Sequence, residues 1–304
     1  MRVSVCVATY NRAPSLERLL RSLAQQAIDE VVVHDDASTD GTSEVLARYD
    51  VTVVRSPDNV GPAAGRNRAW RAATGDLVLF TDDDCVPQPG WAAAHVAAAA
   101  DARITVGRVG PDPAQGDLVG PFSRTMVVES TAAFATCNIG YPRALLEETG
   151  GFDEGYRRAA GEDTDLGLRA VELGAEAVFV PEALVHHDVR PSSWVAALKE
   201  TRKWVDVPRF AARHEPIEGV LHSRRWWRQT HPVAVLAGAG VVGSAVTPYA
   251  LLAVVPWVRL RTTHAQVQAR RRQWPWVLPA MLVVDLAEVA VLARGSVKHR
   301  HLVL

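Results

Sequence analysis

Apolar and polar positions come in alternating blocks along the first quarter of the chain, and the blocks predict a repeating strand, loop and helix. Val3 to Val7 is an apolar, β-favouring run that ends at Ala8-Thr9-Tyr10-Asn11-Arg12. Pro14 then opens a helix in which Leu16, Leu19, Leu20 and Leu23 recur at helical spacing. Val31-Val32-Val33 is the next strand, followed by His34-Asp35-Asp36, the polar Ser38-Thr39-Asp40-Gly41 and a short helix through Leu46. Val51–Val54, a loop and a helix begun by Pro62 repeat the unit, and Leu77-Val78-Leu79-Phe80 is a fourth strand. Strands alternating with helices in this way predict an α/β fold with a largely parallel sheet.

Ligands of such sheets sit at the carboxyl ends of the strands, and here those ends carry Tyr10, Asp35, Asp36 and Asp82-Asp83-Asp84. Three consecutive carboxylates call for a cation. Like charges this close do not all ionise without a counter-charge, and their oxygens are hard ligands suited to Mg²⁺ or Mn²⁺. The plainer reading is an acidic turn leading into the next helix.

Downstream, an Ala-rich helix is expected near Trp91–Ala100, a mobile loop at 110–120, strand-like composition at 132–139 and a helix from Pro142 through Glu148. Gly161-Glu162-Asp163-Thr164-Asp165 opens a further helix, with more acids than its dipole requires. A strand at Ala177–Val180 and the segment Ala183–Asp188 close this body.

The pattern then changes. Val233 to Val258 contains no charged side chain, long enough for a membrane segment, and Trp274–Ala293 is apolar except for Asp285 and Glu288. Those two acids predict an interfacial or protein-facing helix. Basic residues flank every apolar run: Arg224, Arg225 and Arg228, then Arg259, Arg261 and Arg270–Arg272, then Arg294, Lys298 and Arg300. The positive-inside rule places all of them on the cytosolic side, so the Gly/Ser-rich stretch ending at Pro248 is expected to bend 233–258 into a shallow hairpin. Trp226, Trp227, Trp257, Trp274 and Trp276 mark the edges of these runs as interfacial aromatics do. A soluble helical subdomain is the competing reading.

Charge follows the same division. Residues 1–198 carry 17 Lys and Arg against 28 Asp and Glu, a net of −11, whereas 199–304 carry 16 against 6, a net of +10. An acidic catalytic body and a basic region facing an anionic surface are expected, with domains at 1–215 and 216–304. Cys6, Cys85 and Cys137 form no CxxC pair and no zinc-type spacing. No secretory leader is read at the N-terminus, so the body is expected in the cytosol. Neither a GxxxxGK[ST] loop nor a GxGxxG turn follows any strand, which argues against the phosphate-cradling nucleotide folds. Nucleic acid is not an expected partner.

Several motifs in order give the chain a family resemblance over about residues 3–195. They are Val7-Ala8-Thr9-Tyr10-Asn11-Arg12, Asp35-Asp36-Ala37-Ser38-Thr39-Asp40-Gly41-Thr42, Asn59-Val60-Gly61 with Ala64-Gly65-Arg66-Asn67, Asp82-Asp83-Asp84, Gly150-Gly151-Phe152-Asp153 and Gly161-Glu162-Asp163-Thr164-Asp165-Leu166. Together they resemble the inverting family-2 glycosyltransferases of the GT-A fold, membrane-associated bacterial type. That resemblance implies a Rossmann-like mixed sheet and a divalent cation, Mn²⁺ or Mg²⁺, on the diphosphate of a nucleotide-sugar donor. It puts Asp84 on the metal, Asp82 beside it or toward the ribose, and His187 on the metal or diphosphate, although His186 adjoins it. Tyr10 would flank the base or pack as a strand-end aromatic; Asp35 or Asp36 would accept a base N–H, and Arg66 would lie near the nucleotide. Asp163 would be the general base, or a helix cap. The implied reaction moves a sugar to an acceptor hydroxyl, a lipid-linked or envelope glycan, at the cytoplasmic face of the cell membrane. The rivals are a metal-dependent nucleotidyltransferase and a catalytically silent membrane scaffold.

Overall fold

The computed structural model describes residues 1–101, 103–132, 134–214, 221–223, 225–263 and 273–304. Two compact units are formed, one by residues 1–114 and 125–188, the other by 115–124 and 189–304. Residues 189–214, placed by sequence in the first domain, thus group with the second unit. The expected boundary at 215/216 lies outside the described residues, as do Arg224 and Arg270–Arg272.

In the first unit two of the apolar runs, Val3–Thr9 and Leu77–Thr81, become central strands whose residues are almost all buried because helices cover both faces of the sheet there. β1 (Val3–Thr9) lies between β2 (Glu30–Asp35) and β4 (Leu77–Thr81), parallel to both, and β3 (Thr52–Arg55) extends the sheet beyond β2. α1 (Ala13–Leu23) buries Leu16, Leu19, Leu20 and Leu23, as its spacing predicts. α2 (Thr42–Leu46) and α3 (Pro62–Ala72) make the other crossovers. Since β2 and β3 lie on one side of β1 and β4 on the other, the strand order reverses between β1 and β4. A crevice opens at such a reversal.

The sheet continues with four further strands, of which those at Cys85–Pro87 and Ile104–Pro111 were not expected from sequence. Its order is β3-β2-β1-β4-β7-β6-β8-β5, with β5 (Cys85–Pro87), β6 (Ile104–Pro111), β7 (Asn138–Pro142) and β8 (Ala177–His187). β7 is antiparallel to β4 and β6, β6 is parallel to β8, and β5 is antiparallel to β8. The expected loop at 110–120 begins two residues later, after Pro111 closes β6, and winds through 3-10 turns at Pro113–Leu118. The strand expected over 132–139 forms only from Asn138. The two segments expected at 177–180 and 183–188 are one strand, paired to β6 with a register shift between Gly107 and Arg108. α4 (Trp91–Ala98), α5 (Arg143–Thr149) and α6 (Glu162–Glu172) complete the unit.

Asn138 pins that irregularity. Its Oδ1 accepts from Trp91 Nε1 at 2.7 Å and His95 Nε2 at 2.9 Å, and its Nδ2 donates to the carbonyls of Arg108 at 2.8 Å and Ala183 at 2.7 Å. His95 Nδ1 accepts from Thr105 Oγ1 at 2.7 Å, and burial holds the imidazole neutral by lowering its pKa to about 4. Gly107 must lack a Cβ, which would stand 2.2 Å from Asn138 Nδ2.

The second unit is helical: α7 (Trp194–Glu200), a 3-10 stretch at Thr201–Asp206, α8 (Val207–Arg213), α9 (Thr230–Gly243), a 3-10 stretch at Pro248–Val254, α10 (Val255–Thr262) and α11 (Trp274–His299). Ala234, Ala237, Trp257 and Met281 form its core. The apolar stretch 233–258 is therefore not one helix; it turns at 244–247, where the Gly/Ser-rich composition before Pro248 predicts a bend. Asp285 and Glu288 face protein. Asp285 Oδ2 accepts from Trp257 Nε1 at 2.8 Å and Arg261 Nε at 3.0 Å; Glu288 Oε2 accepts from His231 Nε2 and Arg228 Nε, each at 3.1 Å. Trp257 is accordingly a buried partner of Asp285 and not an interfacial aromatic. α11 is long and apolar enough to cross a membrane by length and composition.

Asn138→Ala would orphan buried donors on Trp91 and His95 and two carbonyls. At about 1–3 kcal/mol for each unsatisfied buried group, a loss of at least about 3 kcal/mol is expected in urea unfolding. An unchanged midpoint and slope would contradict this account of the register shift.

Candidate active site

Directly after β4 the three acids diverge, because each is claimed by a different element. The turn is closed by Cys85 N–H donating to Asp82 O at 3.1 Å. Asp82 Oδ1 accepts from Arg66 Nη2 of α3 at 2.7 Å. Asp83 Oδ2 accepts from Thr9 Oγ1 of β1 at 2.8 Å, and burial together with the adjacent Asp84 charge raises its pKa to about 7. Asp84 is buried and faces His187, with Oδ1 3.5 Å from Nε2.

His187 arrives through the β5/β8 pairing, which sets Cys85 opposite His187 and Val86 opposite His186. Neighbouring side chains on a strand point to opposite faces, so His187, not His186, is the one brought to Asp84. His187 Nδ1 lies 2.9 Å from the Asp188 carbonyl oxygen. A carbonyl only accepts, so Nδ1 donates to it, and Nε2 is the ring nitrogen turned toward Asp84. Ligand atoms of Asp84, Cys85 and His187 lie within 4.8 Å of one another. Burial pushes the Cys85 thiol pKa well up, so it stays protonated and is a poor donor to a hard cation. A carboxylate oxygen and an imidazole nitrogen remain, a donor set that fits Mn²⁺ or Mg²⁺. Asp82 stands outside this cluster, on Arg66.

Sequence reading overlooked what holds the segment after His187. Asp188 N–H donates to Asp84 O at 2.9 Å, and the Asp188 carboxylate takes Ser15 Oγ at 3.2 Å and pairs with Arg18 of α1. Arg18, between Leu16 and Leu19 on α1, was the available signal.

The second group of acids opens α6 after Gly161, whose φ of +96° suits glycine. Glu162 is buried and its Oε1 accepts from Arg66 Nη1 at 3.0 Å. Asp165 Oδ2 accepts from Arg169 Nε at 2.9 Å, and Arg169 in turn donates to the carbonyls of Thr149 at 2.6 Å and Gly151 at 2.7 Å. Asp163 has no ion pair among the described residues; its Oδ1 accepts from Thr164 N at 2.8 Å, and the N-cap residue of α6 is Gly161. Asp163 thus bonds a first-turn N–H of α6 without being its N-cap residue. Burial and the Glu162 charge raise its pKa to about 7.

The nucleotide-side candidates divide. Tyr10 is 47% exposed at the end of β1, not packed. Asp35 is fully buried, with Ser38 N–H on Oδ1 at 3.0 Å and Arg55 Nη2 on Oδ2 at 2.6 Å. Asp36 accepts Val60 N–H at 2.8 Å and Gly61 N–H at 3.0 Å, fixing the loop that starts α3. Arg66 is buried between Asp82 and Glu162.

Comparison with known proteins agrees with these motifs. Residues 4–138 match glycosyl transferase family 2, and residues 117–287, more than half the chain, match glycosyl transferase family group 2. The chain is 31% identical over 214 residues to a pre-mycofactocin glycosyltransferase of Mycobacterium tuberculosis, covering 64% of this chain and 44% of that protein. It is 32% identical over 214 residues to a validoxylamine A glucosyltransferase of Streptomyces hygroscopicus subsp. jinggangensis, covering 55% and 50%. The chain thus spans about half the length of the curated relatives it matches. In fold it is similar to the mannosyltransferase PcManGT from Pyrobaculum calidifontis in complex with GDP-Man and Mn²⁺, with a TM-score of 0.60, 23% identity and coverage of 98% and 87%. It is also similar to S. aureus TarS 1-349 in complex with UDP-GlcNAc, with a TM-score of 0.53, 19% identity and coverage of 99% and 93%.

Removing Arg66 leaves Glu162 a buried, uncompensated charge. Arg66→Ala is expected to destabilise the fold by about 3–5 kcal/mol in chemical denaturation, with Arg66→Ala/Glu162→Gln recovering part of the loss. Equal stability of wild type and Arg66→Ala would contradict the bridging role.

Proposed function

The chain belongs to the family-2 glycosyltransferases, and on that premise we propose that it moves a sugar from a nucleoside-diphosphate donor to an acceptor hydroxyl, with inversion at the anomeric carbon. The observation that carries this reading is the pairing of two unlike acid groups by Arg66: a cation-ready Asp84 and His187 beside β4, and Asp163, poised near neutral pH, at the start of α6.

In this reading Asp84 and His187 hold Mn²⁺ or Mg²⁺, with Asp82 beside them toward the ribose. Bound there, the cation supplies positive charge to the diphosphate as it departs. Asp163 accepts the proton of the acceptor hydroxyl while that oxygen bonds the anomeric carbon and the bond from carbon to phosphate oxygen breaks. A single displacement needs no covalent nucleophile. Tyr10 flanks the base from the end of β1. Arg66 acts at one remove, keeping Asp82 and α6 in register, and Asp36 shapes the adjoining loop while Asp35 braces it from below. The GDP-Man and Mn²⁺ of one fold neighbour and the UDP-GlcNAc of another support a nucleotide-sugar donor. A lipid-linked or envelope glycan acceptor and work at the cytoplasmic face of the membrane are supported by the apolar, basic second unit and by α11.

Asp84→Asn is expected to lose cation-dependent binding of nucleotide-sugar in calorimetry across a donor panel. Asp163→Asn is expected to bind donor normally and to transfer at least about 10²-fold more slowly. Normal turnover by either variant would remove that residue from its role.

A base works only when ionised, and the Asp163 pKa is raised to about 7. Transfer is therefore expected to climb about tenfold per pH unit below that value and to level off above it. A wild-type kcat/KM that is flat from pH 5 to 8 would exclude Asp163 as the base.

A further inference from the structure

From His231 to Val258 the chain carries no Asp, Glu, Lys or Arg. Within the second unit this stretch folds back on itself, and its inner side is fully occupied. Ala234, Ala237 and Trp257 are buried against Met281 of α11. Gly240 admits the returning 3-10 stretch, since a Cβ there would stand 2.6 Å from the Ala250 carbonyl oxygen. The outer side is different. Val242, Val246, Tyr249 and Leu252, around and just beyond the turn, are 77%, 90%, 78% and 68% exposed. A turn in water is ordinarily polar, and a contiguous apolar surface of this kind marks an interaction site.

Two further features identify what covers it. Basic residues bracket the stretch, with Arg225 before it and Arg259 after, besides Arg228 and Arg261, which pair with Glu288 and Asp285, within the 199–304 region of 16 basic and 6 acidic residues. That charge complements an anionic surface. The obvious alternative, a crossing by α11, meets an obstacle in its own middle. Asp285 and Glu288 are buried against Arg261, Trp257, Arg228 and His231 of the same bundle, so α11 could enter hydrocarbon only by carrying these partners with it or by abandoning them.

We propose that the second unit docks on an anionic phospholipid leaflet by shallow insertion of the turn at residues 242–252, with α11 held in the bundle and not crossing. This rests on the membrane reading above and specifies the element that makes the contact. The apolar side chains sit at the boundary of headgroups and acyl chains, as in monotopic amphipathic anchors, and the arginines stay at headgroup level.

Flotation of the purified full chain with vesicles tests this. Binding is expected to vesicles of phosphatidylcholine with phosphatidylglycerol and to be weak with phosphatidylcholine alone. Val242→Asp with Val246→Asp should lower the bound fraction at least about tenfold, whereas Val297→Asp, on an exposed position of α11 away from the turn, should leave it unchanged. Cys6, Cys85 and Cys137 are buried, so a fluorophore on Val246→Cys reports depth. Stronger quenching by shallow than by deep spin-labelled lipid is expected. Flotation of the double variant like wild type, stronger deep quenching, or dimers that the double variant splits without any lipid binding would each overturn the proposal. Cation-dependent nucleotide-sugar binding is followed in the same samples. Its retention in the double variant is expected, and its absence from every sample alongside the expected flotation would remove the transferase reading while leaving the docking intact.

Discussion

The first unit depends on one buried guanidinium. Arg66 lies between Asp82 and Glu162, which are 80 residues apart in the chain, and no other arrangement in the described residues neutralises both acids at once. Because a buried cation and its partners tolerate no separation, the turn after β4 and the first turn of α6 are held in a fixed relation. The surroundings of Arg66 enforce its place: the Phe152 ring lies under it at 5.8 Å, and the neighbouring Asn67 donates to Phe152 O and accepts from Phe152 N. α3 therefore ties the diphosphate side of the proposed site to the acceptor side.

The two acid groups solve the same problem in parallel. Each contains one carboxylate on Arg66, Asp82 or Glu162. Each contains one that braces the fold, Asp83 on Thr9 or Asp165 on Arg169. Each leaves one that the proposed reaction would use, Asp84 facing His187 or Asp163 with its raised pKa. Runs of acid are affordable in such a crevice only when most members are neutralised or hydrogen-bonded. Asp35 and Asp36 are likewise engaged by protein groups. Both stand at a strand end where ligands bind, yet both hydrogen-bond to protein through each carboxylate oxygen.

The second unit applies the same rule to an apolar setting. Asp285 and Glu288 are the acids that a membrane-compatible α11 should not carry, and each is met by an arginine and an aromatic or imidazole N–H. Their placement turns one face of α11 inward, while the uncharged turn after α9 keeps Val242, Val246, Tyr249 and Leu252 exposed.

Much of this was legible from the order of residues. Strand and helix periodicity located β1 to β4 and α1 to α3, because buried parallel strands and amphipathic helices impose opposite spacings on apolar residues. Motif order located the acids at 82–84 and 162–165 and the family. Composition hid β6, whose end at Gly110 and Pro111 reads as loop until its pairing with β8 is seen, and β5, which is too short to show a period. Local spacing determined that carboxylates gather at strand ends and that Asp285 and Glu288 need partners. Only the tertiary structure decided which partner each one has, that His187 and not His186 turns to Asp84, and that Arg66 serves two acids. Those choices rest on contacts between distant segments, and the energy of a buried charge depends on what surrounds it in space, not on what precedes it in the chain.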